Sequence, residues 1–342
     1  MKFTGPPCQK GDPMSILAHK IFADFDEGKD FPQFCLNLLL DQKTAWHDLR
    51  EGCESLKNVR ERDLSCNGFS IRLQHNPGRI KSSLADVSQR NANKRPCFLC
   101  LDHLLQGQKG ILYRGEYLIL CNPMPILSSH FTVSHLDHRP QAIGEHIGIL
   151  LQLMLDLGSG WTVLYNGPKC GASAPDHLHF QAAQSERQMP IEKEIREETR
   201  LTTVKELDGV LLYRARNLGR EVIVMEGSDP MAVERAFRGF LNGLQNVRLL
   251  NEEPLINIVG FYEEKKWRLI IFPRRKHRPD AFFKEGNDRV VVSPGAIDMG
   301  GLVITPVGKD FERLDVATVE SIYREVSLEG RIVERVINAM LS

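Results

Sequence analysis

The segment Tyr165 to Ala183, YNGPKCGASAPDHLHFQAA, concentrates groups able to do chemistry. In an extended strand side chains alternate, so His177, His179 and Gln181 should project from one face and Leu178 and Phe180 from the other. Just upstream, Gly171-Ala172-Ser173-Ala174-Pro175 forms a turn whose backbone N–H groups and hydroxyl can hold phosphate oxygens. A histidine nucleophile beside anion-binding amides suits phosphoryl-group chemistry. Asn166, before the turn, adds a hydrogen-bonding side chain. Two basic clusters are further candidates for binding phosphate: Arg274-Arg275-Lys276-His277-Arg278 after an apolar strand, and Asn76, Arg79 and Lys81 in HNPGRIKSS. Cys97 and Cys100 form a C-x-x-C, which suits two packed thiols, a redox pair or part of a metal site. The other cysteines (Cys8, Cys35, Cys53, Cys66, Cys121, Cys170) are scattered, as buried thiols would be.

Positioning these groups requires strands and a helix. Residues 14 to 62 read as helical, from Ile16, Leu17, Phe22, Leu36, Leu38, Leu39, Leu40, Trp46 and Leu49 recurring as a buried stripe. From Gly68 the pattern changes to short strand-like pieces: SIRLQH, ILYRGEYLILCN with a turn at Arg114-Gly115, HFTVSH and WTVLYN. Between the last two, RPQAIGEHIGILLQLMLDLGSG predicts a long helix with Pro140 in its first turn and Gly158 at its end. The charged stretch from Pro190 to Glu206 reads as an exposed helix or linker. A second round follows, with strands near GVLLYRA and EVIVME, a helix at DPMAVERAFRGFLNGLQNV, then strands LINIVGFYEE and KWRLIIFPR. The repeated order suggests duplication, although no residue-level repeat accompanies it. The expected fold is α+β, with an N-terminal helical layer (1–67), a catalytic domain (68–189) and a second domain of like content (190–342).

Composition sets the outer limits. A chain of 342 residues, 42% of them hydrophobic, can build a real core. Lys and Arg balance Asp and Glu at 44 each, so no global field draws the protein to nucleic acid or an anionic membrane. No apolar run approaches the roughly 20 residues that a membrane helix needs. The start MKFTGPPCQKGDP lacks the apolar core of a signal peptide, which makes the cytoplasm the expected compartment. Eight cysteines are too sparse for a disulfide scaffold.

H-L-H-F-Q at 177–181 resembles the H-x-H-x-Q signature of the transferase branch of the histidine-triad superfamily. That branch includes galactose-1-phosphate uridylyltransferase, diadenosine tetraphosphate phosphorylase (ATP adenylyltransferase) and the GDP-hexose phosphorylases. The phrase D-H-L-H-F-Q-A is most similar to the plant-type GDP-hexose phosphorylases, and RPCFLC at 95–100 is similar to the cysteine pair of the uridylyltransferase zinc site. LINIVGFYEEKKWRLIIFPRRKHRP followed by SPGAIDMGGLVI is similar to the second domain of the phosphorylases. The resemblance runs from about Asn76 to Glu325. It implies two histidine-triad-like domains, antiparallel sheets with helices packed on them.

The resemblance also implies roles. His179 is then the nucleophile, Gln181 the hydrogen-bonding partner of a nucleotidylated intermediate, and Ser173 a stabiliser of phosphoryl charge. Asn166, Gly171, Arg79, Asn76, Arg274 and Arg275 become substrate-binding candidates. Cys97, Cys100, His138 and His177 become ligands of a structural zinc, with His103, His130 and His135 as rivals for the third place. Ser173 to His177 is one residue longer than the corresponding uridylyltransferase spacing, which favours the phosphorylase branch. The expected reaction is a double displacement that passes a nucleotidyl group from an NDP-sugar or dinucleoside polyphosphate to phosphate or a sugar phosphate. Hydrolysis by the same nucleophile, or a non-catalytic nucleotide-binding zinc protein, are the alternatives. Nucleobase and sugar stay open. So does oligomeric state, a homodimer being one arrangement.

Overall fold

The computed structural model of the chain describes residues 13–85, 96–184 and 189–340. The expectations for the extreme N-terminus and for Cys8 lie outside the described residues. In chain order the elements are α1 Pro13–Lys20, β1 Ile21–Asp24, α2 Phe31–Ala45, α3 His47–Lys57, β2 Arg60–Ser65, β3 Ser70–His75 and α4 Ile80–Leu84. Then come β4 Gly110–Tyr113, β5 Tyr117–Cys121, β6 Ser129–His135, α5 Ile147–Leu157, β7 Trp161–Asn166 and β8 His179–Gln184. The rest are α6 Pro190–Glu194, β9 Leu201–Leu207, β10 Val210–Ala215, β11 Val222–Gly227, α7 Pro230–Arg248, β12 Ile256–Glu263, β13 Lys266–Pro273, α8 Ala296–Met299, β14 Leu302–Thr305, α9 Gly308–Arg313, α10 Val316–Val326 and α11 Gly330–Ala339.

Eleven strands form one sheet in the order β1-β4-β5-β6-β8-β7-β12-β13-β11-β10-β9. The repeated element order is visible in it. β4-β5-β6-α5-β7-β8 and β9-β10-β11-α7-β12-β13 are wound alike, and the two rounds meet where β7 pairs antiparallel with β12. The sheet is therefore continuous across the join. On one face α2, α5 and α7 pack their apolar stripes, among them Leu38, Leu150, Met154, Phe237 and Phe240. α7 buries Ala232, Val233, Ala236, Phe237, Phe240 and Leu244 at helical spacing, and Asp229 caps it by accepting from the Met231 N–H at 3.0 Å. The other face is covered by α8, α10 and a small sheet, β14-β3-β2. No helix among the described residues is long and apolar enough to cross a membrane.

Several local expectations change. The stretch 14–62 is not all helix: β1 pairs parallel with β4, and β2 forms the polar edge of the small sheet. Phe25, Phe31 and Tyr113 pack with ring centroids 4.8–5.3 Å apart and hold this N-terminal segment on the main sheet. Such pairing is a long-range contact that local periodicity cannot register. The helix before β7 starts at Ile147, not at Pro140, and its end is as expected, with Gly158 at φ +69°. The stretch from Pro190 to Glu206 is exposed over much of its length, as expected, but it forms the helix α6 and the strand β9 and not a linker, and α6 is largely buried. Ile191, Glu192 and Glu194 are buried, Glu192 accepting from Thr162 Oγ1 at 3.1 Å and Glu194 from the Ser70 N–H at 2.9 Å. The charges of Glu192 and Glu194 are matched inside the protein, so composition alone misplaces those two residues.

Candidate active site

β8 is the central strand of the site. It lies between β6 and β7, with His179 opposite Ser134 and Gln181 opposite Thr132 and Leu164. The strand begins at His179, so His177 sits in the preceding turn, where its N–H donates to Ala174 O at 3.2 Å. The two histidines consequently do not share one surface, and this corrects the alternation expected from sequence. His179 and Gln181 line a cavity of about 490 Å³, whereas His177 turns away toward the cysteines.

His179 is held on both sides. Its backbone N–H donates to Gln141 Oε1 at 2.8 Å, and Gln141 Nε2 donates to His179 O at 3.0 Å and to Asn166 O at 2.9 Å. One glutamine thus clamps β7 to β8 at the histidine. Nδ1 of His179 lies 2.8 Å from His177 O. A carbonyl only accepts, so Nδ1 carries the proton and the Nε2 lone pair is left unprotonated. Burial pushes the imidazole pKa down to about 4.

Cys97, Cys100, His138 and His177 bring their ligand atoms within 4.8 Å of one another, the spacing a metal ion requires. Sγ of Cys97 is 3.2 Å from His177 Nδ1, and Sγ of Cys100 is 3.2 Å from His138 Nδ1 and 3.6 Å from His177 Nδ1. Tetrahedral zinc would set such sulfur–nitrogen pairs about 3.6 Å apart. The tautomer also fits: His177 Nε2 donates to His135 O at 2.8 Å, which leaves Nδ1 as a lone pair facing the thiols. His138 Nε2 is 3.5 Å from Asp176 Oδ2, a carboxylate placed to orient a ligating imidazole. The rivals are engaged elsewhere: His103 on Cys97 O, His130 on Gln181 and His135 on Asp137.

The cavity also takes in Ser173, Gly171, Asn166 and Arg79. Asn166 Oδ1 accepts from the Ala296 N–H at 2.7 Å and from Asn257 Nδ2 at 2.8 Å, so only its NH2 can serve a ligand. Gly171 has φ +108°, and a β-carbon there would come 2.9 Å from Gly295 Cα. Glycine is required at this point because the turn before β8 touches the segment before α8. Arg79 Nη1 donates to Met124 O at 2.8 Å; burial lowers its pKa to about 10, which leaves it cationic at neutral pH.

Three expected substrate contacts are not among the lining residues. Asn76 is buried against Gln74 Oε1 and Pro125 O, both at 3.4 Å. Arg274 is 1% exposed, its guanidinium on Asn257 Oδ1 and on the carbonyls of Val326, Pro294, Lys276 and His277. It supports Asn166 through Asn257 rather than meeting a ligand. Arg275 lies beside Glu329 at 3.8 Å. From the same basic run, His277 and Arg278 do line the cavity, with Ser293 joining them at 3.1 and 2.9 Å, and so does Asp298, whose carboxyl burial raises to about 6. Of the basic run, the two members singled out from sequence do not line the cavity and two that were not do, because strand phase at the end of β13 decides which arginine is buried.

Comparison with known proteins bears on the fold. The family described as a domain of unknown function (DUF4922) matches residues 38–184, the part that carries the cysteine pair and β8. No curated protein matches the sequence. Among solved structures, yeast Ap4A phosphorylase Apa2 in complex with Ap4A is similar at 15% identity over 88% of this chain and 98% of that one, with a TM-score of 0.57. The same enzyme in complex with AMP is also 15% identical, over 82% and 97% of the two chains, with a TM-score of 0.52. The fold is thus shared with that enzyme along nearly its whole length.

Proposed function

We propose that this chain is a nucleotidyltransferase of the phosphorylase kind, acting through a covalent nucleotidyl-histidine on His179. The observation that carries the reading is the Nδ1–H to His177 O bond, which leaves Nε2 with its lone pair on the wall of a cavity shared with Gln181, Ser173 and Asn166. The shared fold with an Ap4A phosphorylase, in structures holding Ap4A and AMP, supports a nucleotide donor.

In the first step the Nε2 lone pair attacks the α-phosphorus of an NDP-sugar or dinucleoside polyphosphate. The bond from phosphorus to its bridging oxygen breaks, and the leaving group departs with that oxygen and the electron pair. In the second step an oxygen of inorganic phosphate or a sugar phosphate attacks the same phosphorus, the P–N bond breaks, and the lone pair returns to Nε2. Two displacements give retention at phosphorus. Gln181, Ser173, the Asn166 NH2 and the amides around Gly171 hold phosphoryl oxygens, while Arg79 offsets their charge. Gln181 cannot titrate and so cannot activate water, which favours an acceptor that is already anionic. Cys97, Cys100, His138 and His177 would hold a zinc ion whose four protein ligands leave it a structural role. Residues 68–189 supply the nucleophile and 190–342 complete the cavity.

The test is incubation with α-phosphorus-labelled GDP-, UDP- and ADP-sugars and dinucleoside polyphosphates. An acid-labile, base-stable protein adduct should form and discharge only when phosphate or a sugar phosphate is added. Rapid release of nucleoside monophosphate in buffer alone would replace this reading with a hydrolase.

A further inference from the structure

We propose that His130 is a positioning residue that fixes which end of the Gln181 amide faces the reacting phosphoryl group. The inference deepens the nucleotidyl-histidine reading and rests on it for its kinetic consequences. His130 lies on β6, 2% exposed, behind the wall of the cavity. Its Nδ1 is 3.2 Å from the Ile126 backbone nitrogen, and its Nε2 is 2.8 Å from Gln181 Oε1.

These two contacts determine the protons. A backbone N–H can only donate, so Nδ1 must be the acceptor and the ring proton must sit on Nε2. Nε2–H then needs an acceptor, and of the two ends of the Gln181 amide only the oxygen qualifies. The NH2 is thereby left for the cavity. Phosphoryl oxygens accept hydrogen bonds and do not donate, so a Gln181 turned the other way would present a carbonyl oxygen to an anion. Burial pushes His130 down to about 4 and the Arg79 charge opposes protonation further, so the ring stays neutral, with one donor and one acceptor. A doubly protonated ring would face the Ile126 N–H with a second N–H.

An exposed glutamine amide has two orientations of similar energy. His130 removes that choice before substrate arrives, so no reorientation is needed as the phosphoryl charge develops. Sequence reading considers His130 only as a zinc ligand; in the fold it lies on the strand beside β8 and reaches Gln181 instead.

The experiment compares single-turnover adduct formation, with the labelled donor that wild-type protein accepts, in His130→Asn, His130→Gln, Gln181→Ala and the double variant His130→Asn/Gln181→Ala. Asn can keep the acceptor for the Ile126 N–H but cannot reach Gln181, and the rate should fall roughly tenfold, since an oxyanion donor is misdirected rather than deleted. Gln at 130 places an amide donor where Nε2 was and should recover most of that loss. In the Gln181→Ala background His130→Asn should have no further effect. Equal losses with and without Gln181 would make His130 merely structural and overturn the proposal. A nitrogen-15 spectrum of the histidine-labelled protein reads the tautomer independently of activity and of any variant's folding: His130 should carry its proton on Nε2. A proton on Nδ1 would overturn the assignment even if the adduct forms, whereas absence of any adduct in wild-type protein would sink the nucleotidyl-histidine reading alone.

Discussion

The two rounds of the sheet are wound alike and equipped differently. In the first, β8 carries His179 and Gln181 two residues apart, both neutral and both facing a cavity. In the second, β13 occupies the same place in the winding and carries Lys266 and Arg268 two residues apart, both bonded to Glu226 of β11. Burial opposes ionisation of Glu226, but hydrogen bonds from Lys266 and Arg268 outweigh it and hold the carboxyl below its usual range. The second round therefore closes its polar groups on one another, while in the first the His179 imidazole faces a cavity. A shared winding provides positions, and the side chains at the start of the last strand decide whether they line a cavity or form an ion pair. The second round still contributes, because Gly295, Asp298, His277 and Arg278 complete the cavity around His179.

The largest test of this contrast is a pair of substitutions at matching places. His179→Gly should abolish adduct formation, a loss of about 10³-fold or more for removal of a nucleophile, while Lys266→Ala should leave the adduct rate within about twofold. Equal losses, measured by retained label, would break the distinction between the two rounds. Next in size, elemental analysis should find one zinc per chain. Cys97→Ser or chelation should lower the melting temperature by roughly 5–10 °C, because binding energy at such a site is folding energy. A folded, active, metal-free sample would refute the structural zinc.

The join between the rounds offers a subtler measurement. Glu253, before β12, accepts from Tyr165 Oη at 2.5 Å and from the Ile143 N–H, and burial raises its pKa to about 7. The folded state then keeps a proton that the unfolded chain loses near the ordinary glutamate value. Stability from this group is fully present below about pH 4.5 and is lost as pH rises to about 7, on the order of 3 kcal/mol in all. Denaturant melts across that range should show the decline, and Glu253→Gln should flatten it; an unchanged slope would exclude Glu253 as its source. The smallest effect belongs to Arg275→Ala. Half-exposed beside Glu329, Arg275 should alter steady-state turnover by less than about twofold, and a large fall in kcat would return it to the substrate site.

Sequence alone carried much of this molecule. The strands β3 to β8 and β10 to β13 are short alternating or apolar runs between turn residues, and α7 has an amphipathic stripe, so pattern reveals them; β9, Leu201–Leu207, is a polar, half-exposed strand inside the stretch that reads as a charged helix or linker. The repeated order of elements was legible too. The set Cys97, Cys100, His138 and His177 came from the family resemblance and not from pattern, and its ligand atoms do lie within 4.8 Å of one another. What local pattern could not convey was pairing and phase. β1 and β2 read as helix because their partners, β4 and β3, lie far from them in sequence or across a turn. Glu192 and Glu194 read as solvated with the rest of their charged stretch because Thr162 and Ser70, which donate to them, are remote in sequence.

The division at the site has the same cause. Residue type and spacing determined that His179 has a phosphate-suited turn before it and Gln181 two positions after it, because β alternation is a property of the chain itself. Only the tertiary structure decided that His177 leaves that face for the cysteines, that Arg274 is buried behind Asn257, and that His130 orients Gln181. Each depends on which group from a distant segment meets a lone pair or an N–H. A hydrogen bond is specified by both partners, and the sequence around one of them contains only half of that information.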